Sequence, residues 1–142
     1  MHKPDLQMTR ALADEMIEHC RAGAPNEACG LLGSKDGAIV KVFRMTNAKA
    51  SPVRYALVAK EQFAVYNTLE KEGWDLGGIF HSHTHTEAVP SPTDVRDAVE
   101  DVPYVIVSLA EEPPSVRAFR IQKSAPGDAE GVVEEIPVVV IG

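Results

Sequence analysis

Three of the chain's five histidines fall in one short stretch, Gly77 to Asp94, which reads GGIFHSHTHTEAVPSPTD. A strand sends alternate side chains to one face, so His81 and His83 should point together. Two neutral imidazoles side by side are a natural start for a zinc site. A catalytic zinc needs three protein ligands and keeps a fourth position for water or substrate. Asp94, eleven positions beyond His83, is the best candidate for the third. Two His and a carboxylate can also hold other divalent ions.

Each of these residues has a plainer reading. His81 and His83 could be ordinary half-buried strand residues. Ser91-Pro92-Thr93-Asp94 is a good helix start, with Ser91 as N-cap, Pro92 at the first helical position and Asp94 as the acid of a capping box. On that reading Asp94 does not easily cap and ligate with the same oxygen. His85 offers a rival ligand set: if the strand runs that far, His81, His83 and His85 share a face. Thr84 to Pro90 reads as loop, which instead puts His85 at the rim.

A metal-activated water needs a nearby carboxylate to take its proton and pass it to a leaving amine. Glu27, in the run PNEACGLLG, is the candidate, because it opens an apolar strand after a Pro-Asn break. An acid at a strand start is also commonly just solvated.

The elements that must position these residues follow from periodicity. Apolar residues at near-helical spacing predict a helix over Leu6 to Arg21, stopped by Gly23 and Pro25. Ala28 to Leu32 reads as a short buried strand closed by Gly33, Lys35-Asp36-Gly37 as a turn, and Ala38 to Met45 as its hairpin partner. A brief strand is expected at Tyr55 to Val58 and a helix at Lys60 to Glu72. Leu76 to Thr84 reads as a strand and Pro92 to about Glu100 as a helix; Gly77-Gly78 suggests close packing or a bulge. Tyr104 to Ala110 and Val116 to Gln122 are strands, and Val132 to Ile141 supplies one or two more. The mixture predicts one α/β domain, with helices packed on a mixed, partly antiparallel sheet.

Composition narrows the function classes. The chain has 142 residues, ordinary apolar and charged fractions, and a formal charge of -7. So acidic a chain carries no footprint for nucleic acid or an anionic membrane. Cys20 and Cys29 form no C-x-x-C pair, which argues against a zinc ribbon or redox site and for a reduced, cytoplasmic protein. Both read as small buried hydrophobes, and His2 and His19 lack supporting partners. No apolar run approaches the roughly 20 residues needed to span a bilayer.

These motifs resemble the JAMM metalloproteases, also called MPN+ or Mov34-type. Their pattern is a distant Glu, then H-x-H, seven residues, Ser, two residues, Asp. Here Glu27 lies upstream, and His81-Ser82-His83 is followed by residues 84 to 90, Ser91, two residues and Asp94. The resemblance extends to P25-NEACGLLG-33 and the N47-AKASPVRY-55 loop. Thr84 departs from it, standing where many relatives have Pro.

The resemblance implies one JAMM/MPN-type domain over residues 1–142, with a cytidine-deaminase-like mixed sheet. It implies one zinc per chain, on His81, His83 and Asp94, with Glu27 as general acid/base. Ser91 would steady the oxyanion by hydrogen bond. It further implies hydrolysis after the C-terminal glycines of a ubiquitin-like protein, with release of cysteine from a sulfur carrier in cysteine biosynthesis as the leading substrate. Such a tail would lie as an extended strand against a sheet edge. The rival readings are an isopeptidase on another ubiquitin-like modifier, a zinc deaminase, and a non-catalytic interaction scaffold, against which the presence of Glu27, His81, His83, Ser91 and Asp94 argues, since related scaffolds have lost ligands. The P-C-x-x-C signature of the deaminases is missing from the chain.

Overall fold

The computed structural model describes residues 5–142; His2 lies outside them. Eight strands form one mixed sheet: β1 (Leu6–Thr9), β2 (Cys29–Lys35), β3 (Ala38–Met45), β4 (Asp75–His83), β5 (Tyr104–Ser108), β6 (Ser115–Gln122), β7 (Val132–Ile136) and β8 (Val138–Ile141). Three helices accompany them: α1 (Arg10–Gly23), α2 (Ala59–Glu72) and α3 (Pro92–Asp97). The strand order is β7-β6-β5-β4-β2-β3-β1-β8. Strand β1 runs parallel to both β3 and β8, and β4 parallel to β5; the other neighbours are antiparallel. This is the mixed, helix-flanked α/β sheet that the sequence predicts.

Alternation in the central strands builds two cores. Leu32 of β2 and Phe80 of β4 face α1, packing with its Met16 and Cys20. Leu31 and Ile79, one position away in each strand, face α2 and pack with its Val65 and Leu69. Gly30 pairs with Phe80 across the ladder, and a Cβ there would lie 2.3 Å from both the Phe80 ring and the Phe43 carbonyl. A glycine is therefore required for the Phe80 ring to lie flat against β2.

Several element limits differ from the expectation. Leu6 to Thr9 is a strand, not the first turn of a helix: Leu6 and Met8 are buried while Gln7 and Thr9 are exposed, a period of two. Thr9 then caps α1, its side chain accepting the Leu12 N–H at 3.2 Å. Tyr55 to Val58 forms no strand and makes only a single bridge, Leu57 to Asn47. Helix α3 stops at Asp97. Strand β2 continues through Gly33, where the β2–β4 register shifts and skips Gly77. That bulge lies at the end of β4 away from its histidines, and a Cβ on Gly77 would strike Ser34. Among the described residues no helix is long and apolar enough to cross a membrane.

Candidate active site

The register of two strands assembles the site. In the antiparallel β2–β4 pair Cys29 stands opposite His81. Glu27, two residues before Cys29, therefore reaches the same end and the same face as His83, two residues after His81. Ser82, on the opposite face, fastens this end: its hydroxyl accepts the Ala28 N–H at 2.8 Å, and its N–H donates to the Ala28 carbonyl at 3.0 Å. Thr84 adds a hydroxyl bond to the Pro25 carbonyl at 3.3 Å. The threonine that departs from the family pattern thus ties the end of β4 to the segment carrying Glu27.

Helix α3 brings in the third group. Ser91 and Asp94 form a capping box, with Asp94 N–H donating to Ser91 Oγ at 3.0 Å and Ser91 N–H donating to Asp94 Oδ2 at 2.9 Å. The same Oδ2 lies 2.9 Å from His83 Nε2 and 3.2 Å from His81 Nε2. The expectation that one oxygen would not both cap and face the histidines is corrected here. A carboxylate oxygen has two lone-pair directions, and Ser91 occupies one. Ser91 Oγ accepts in the cap, which leaves its own hydroxyl proton to donate elsewhere.

The donor set fits a divalent metal. The two Nε2 atoms are 3.2 Å apart, and His81, His83 and Asp94 offer three buried ligand atoms in one cluster. Ligand atoms on a tetrahedral zinc, with bonds of about 2.0–2.1 Å, stand about 3.3 Å from one another. His83 Nδ1 faces the Glu87 carbonyl at 2.8 Å. A carbonyl only accepts, so Nδ1 carries a proton, and Nε2 is the ring atom turned to the cluster. Nε2 can donate to Asp94 when no cation is bound, and would offer its lone pair to a metal held between them.

Electrostatics agree. Burial alone would raise the Asp94 pKa, but hydrogen bonds with His81 and His83 hold it well below the usual carboxylate range. Burial would lower His83, and its bonds to Asp94 and the Glu87 carbonyl overcome this and raise it. Glu27 is 5% exposed and its Oε1 has no hydrogen-bond partner among the described residues. Burial, with the Asp94 charge adding to it, raises the Glu27 pKa to about 7. Glu27 is therefore not a solvated strand-start acid. It is a buried carboxyl poised near neutrality, where a general acid/base works best.

His85 is exposed and lies outside the cluster. His85→Ala is accordingly expected to bind zinc within about twofold of the parent in chelator competition; a large loss would restore the three-histidine alternative. His19 does have partners, but structural ones: its Nε2 lies 3.0 Å from the Cys29 carbonyl, and its ring meets Phe80 edge-on. Cys20 and Cys29 are free and fully buried, and burial raises both thiols to about 12, so neither is a nucleophile. Sequence reasoning gave no role to Asn47 or Tyr55. Asn47 Nδ2 donates to the Glu27 carbonyl at 2.9 Å and to the Arg54 carbonyl at 3.0 Å. Tyr55 stacks on His81. Their only sequence signal is membership of the NAKASPVRY loop.

Fold and motif together define a JAMM-type domain, and the chain belongs to the family described as prokaryotic homologs of the JAB domain, whose model matches residues 9–122. It is 39% identical over 134 residues to the CysO-cysteine peptidase of Mycobacterium tuberculosis, covering 92% of this chain and 87% of that one. It is 34% identical over 115 residues to a probable TtuB-protein conjugate cleaving protease of Thermus thermophilus, covering 80% and 74%. A solved structure from Desulfitobacterium hafniense superposes with a TM-score of 0.82 at 33% identity, over 95% of this chain and 92% of the other.

Proposed function

We propose that residues 1–142 act as one zinc metallopeptidase domain that removes a C-terminal cysteine from a ubiquitin-like sulfur-carrier protein in cysteine biosynthesis, in the cytoplasm. The observation that carries the reading is the buried Glu27 carboxyl, its Oε1 unpartnered among the described residues, set at the strand end and face of the His81–His83–Asp94 cluster and within electrostatic reach of Asp94 and His83. The M. tuberculosis relative, similar along nearly the whole chain, supports the substrate.

In this reading His81, His83 and Asp94 would hold one zinc, which would supply Lewis acidity toward a carbonyl oxygen and a water made acidic enough to react near neutral pH. Glu27 takes a proton from the attacking water and returns it to the amine of the departing cysteine. The water oxygen ends on the carboxyl carbon of the last glycine. The free hydroxyl proton of Ser91 donates to the oxyanion that forms there, a contribution of about 2.7–4 kcal/mol for such donors.

Among the described residues the outer strands of the sheet are β7 and β8, and β4 lies between β2 and β5. In this reading the tail therefore approaches His81 and His83 across the ends of the strands, on the side of Glu27 and α3, rather than along β7 or β8.

The test is mass spectrometry of a sulfur-carrier protein extended by one cysteine. Loss of that residue, blocked by chelator and restored by zinc, is the expected result. An unchanged mass with zinc bound would reject this substrate. A second reading, cleavage of a ubiquitin-like modifier from a protein conjugate, is favoured by the T. thermophilus relative. The same assay on an isopeptide-linked conjugate separates the two, and inertness on both returns the chain to a scaffold.

A further inference from the structure

We infer that Tyr55 is a positioning residue for the ligand His81, holding its imidazole by ring stacking where a hydrogen bond would normally do so. The inference rests on the zinc reading above. The two histidines are supported differently. His83 has the ordinary arrangement, its Nδ1 proton given to the Glu87 carbonyl at 2.8 Å. His81 Nδ1 is buried and has no hydrogen-bond partner among the described residues. Metal-bound histidines almost always fix ring orientation through that second nitrogen, so something else must orient His81. The Tyr55 ring lies over it, with centroids 4.4 Å apart and planes inclined by 21°.

Tyr55 is itself well fixed. Its flanking peptides are held by Asn47, which binds the Arg54 carbonyl and accepts the Ala56 N–H at 3.1 Å. Asn47 also binds the Glu27 carbonyl. Arg54 reaches Asp97 of α3, three residues beyond Asp94, at 3.1 and 3.3 Å. The loop bearing Tyr55 is thus fastened both to the segment carrying Glu27 and to the helix carrying Asp94. Burial holds the Tyr55 hydroxyl well above its ordinary pKa, so the ring stays a neutral phenol and acts through its face. Tyr55 also lines a cleft of about 300 Å³ with Leu57, Ile79 and Tyr104. Deleting the ring would join its volume to that cleft and give the imidazole room to turn.

The experiment is zinc affinity by competition with a chromogenic chelator, at fixed pH, for the parent, Tyr55→Ala, Tyr55→Phe and His81→Ala. Loss of an outer partner of a metal ligand weakens binding by about 10–100-fold, and Tyr55→Ala should fall in that range. Tyr55→Phe keeps the ring face and should stay within about twofold. If Tyr55→Ala does not fold, Tyr55→Leu, apolar but without a stacking face, takes its place with the same expected loss. A purely structural role would lower thermal stability and leave zinc affinity unchanged, and that result would overturn the inference. So would a Tyr55→Phe variant weakened as much as Tyr55→Ala, since the hydroxyl would then be responsible. His81→Ala binding zinc as tightly as the parent would instead remove the metal-site reading itself.

Discussion

Asp94→Ala is expected to lose zinc and peptidase activity together. Structural zinc binding of about 10–16 kcal/mol, divided over four ligands, makes one ligand worth roughly 10²–10³-fold in affinity. The substitution also removes half of the α3 capping box, because Asp94 Oδ2 accepts the Ser91 N–H at 2.9 Å. A lost cap costs about 0.5–2 kcal/mol and could disturb the site indirectly. Asp94→Asn separates the two effects, since its side-chain oxygen can still accept that N–H while the charge is gone. Metal content and chelator competition should show both variants depleted; when metal-free, both lose the stabilisation that the Asp94 charge gains from His81 and His83, and Asp94→Ala loses the cap in addition. Tight zinc binding by Asp94→Ala would place the site elsewhere, and a simultaneous loss in His85→Ala would place it on the three histidines.

The H-x-H spacing and the Ser-Pro-Thr-Asp helix start were legible because each rests on local geometry. A strand repeats every two residues, and a capping box spans four. The helices and most strands were readable for the same reason. Leu6 to Thr9 was not, because its two apolar residues fit either period; pairing with β8, far along the chain, decides for a strand. The burial of Glu27 was not legible either. It depends on the Cys29–His81 register, and pairing between distant strands leaves no mark at position 27. Tyr55 is hidden for a related reason. Its stacking on His81 depends on a loop whose course is set by Asn47, Arg54 and Asp97 rather than by any local period. The role proposed for Glu27 comes from the resemblance to a family, and the register accounts for the burial that such a role would use.

Glu27→Gln should keep zinc, lose turnover and gain stability when metal-free. The ligand set is untouched, so metal content should stay near one per chain. Without its acid/base the reaction should slow by about 10²–10⁴-fold, with the loss in kcat. The stability effect follows from the raised pKa. Glu27 titrates near 7 in the folded chain and near 4.5 when unfolded. Between those values the folded state holds the extra proton, so stability falls as pH rises through the window. That displacement corresponds to about 3 kcal/mol, borne in full above pH 7 and absent below pH 4.5. A neutral glutamine escapes that cost. Urea unfolding of metal-free parent and variant should therefore differ by about 2–3 kcal/mol at pH 8 and converge near pH 4.5. The comparison belongs to the metal-free protein, because a bound cation opposes the rise in pKa. A difference independent of pH would show that the Glu27 charge is not what burial penalises, and a fully active glutamine variant would remove Glu27 from the chemistry. Both effects at once would mark a carboxyl kept at a cost to the fold because the reaction requires it.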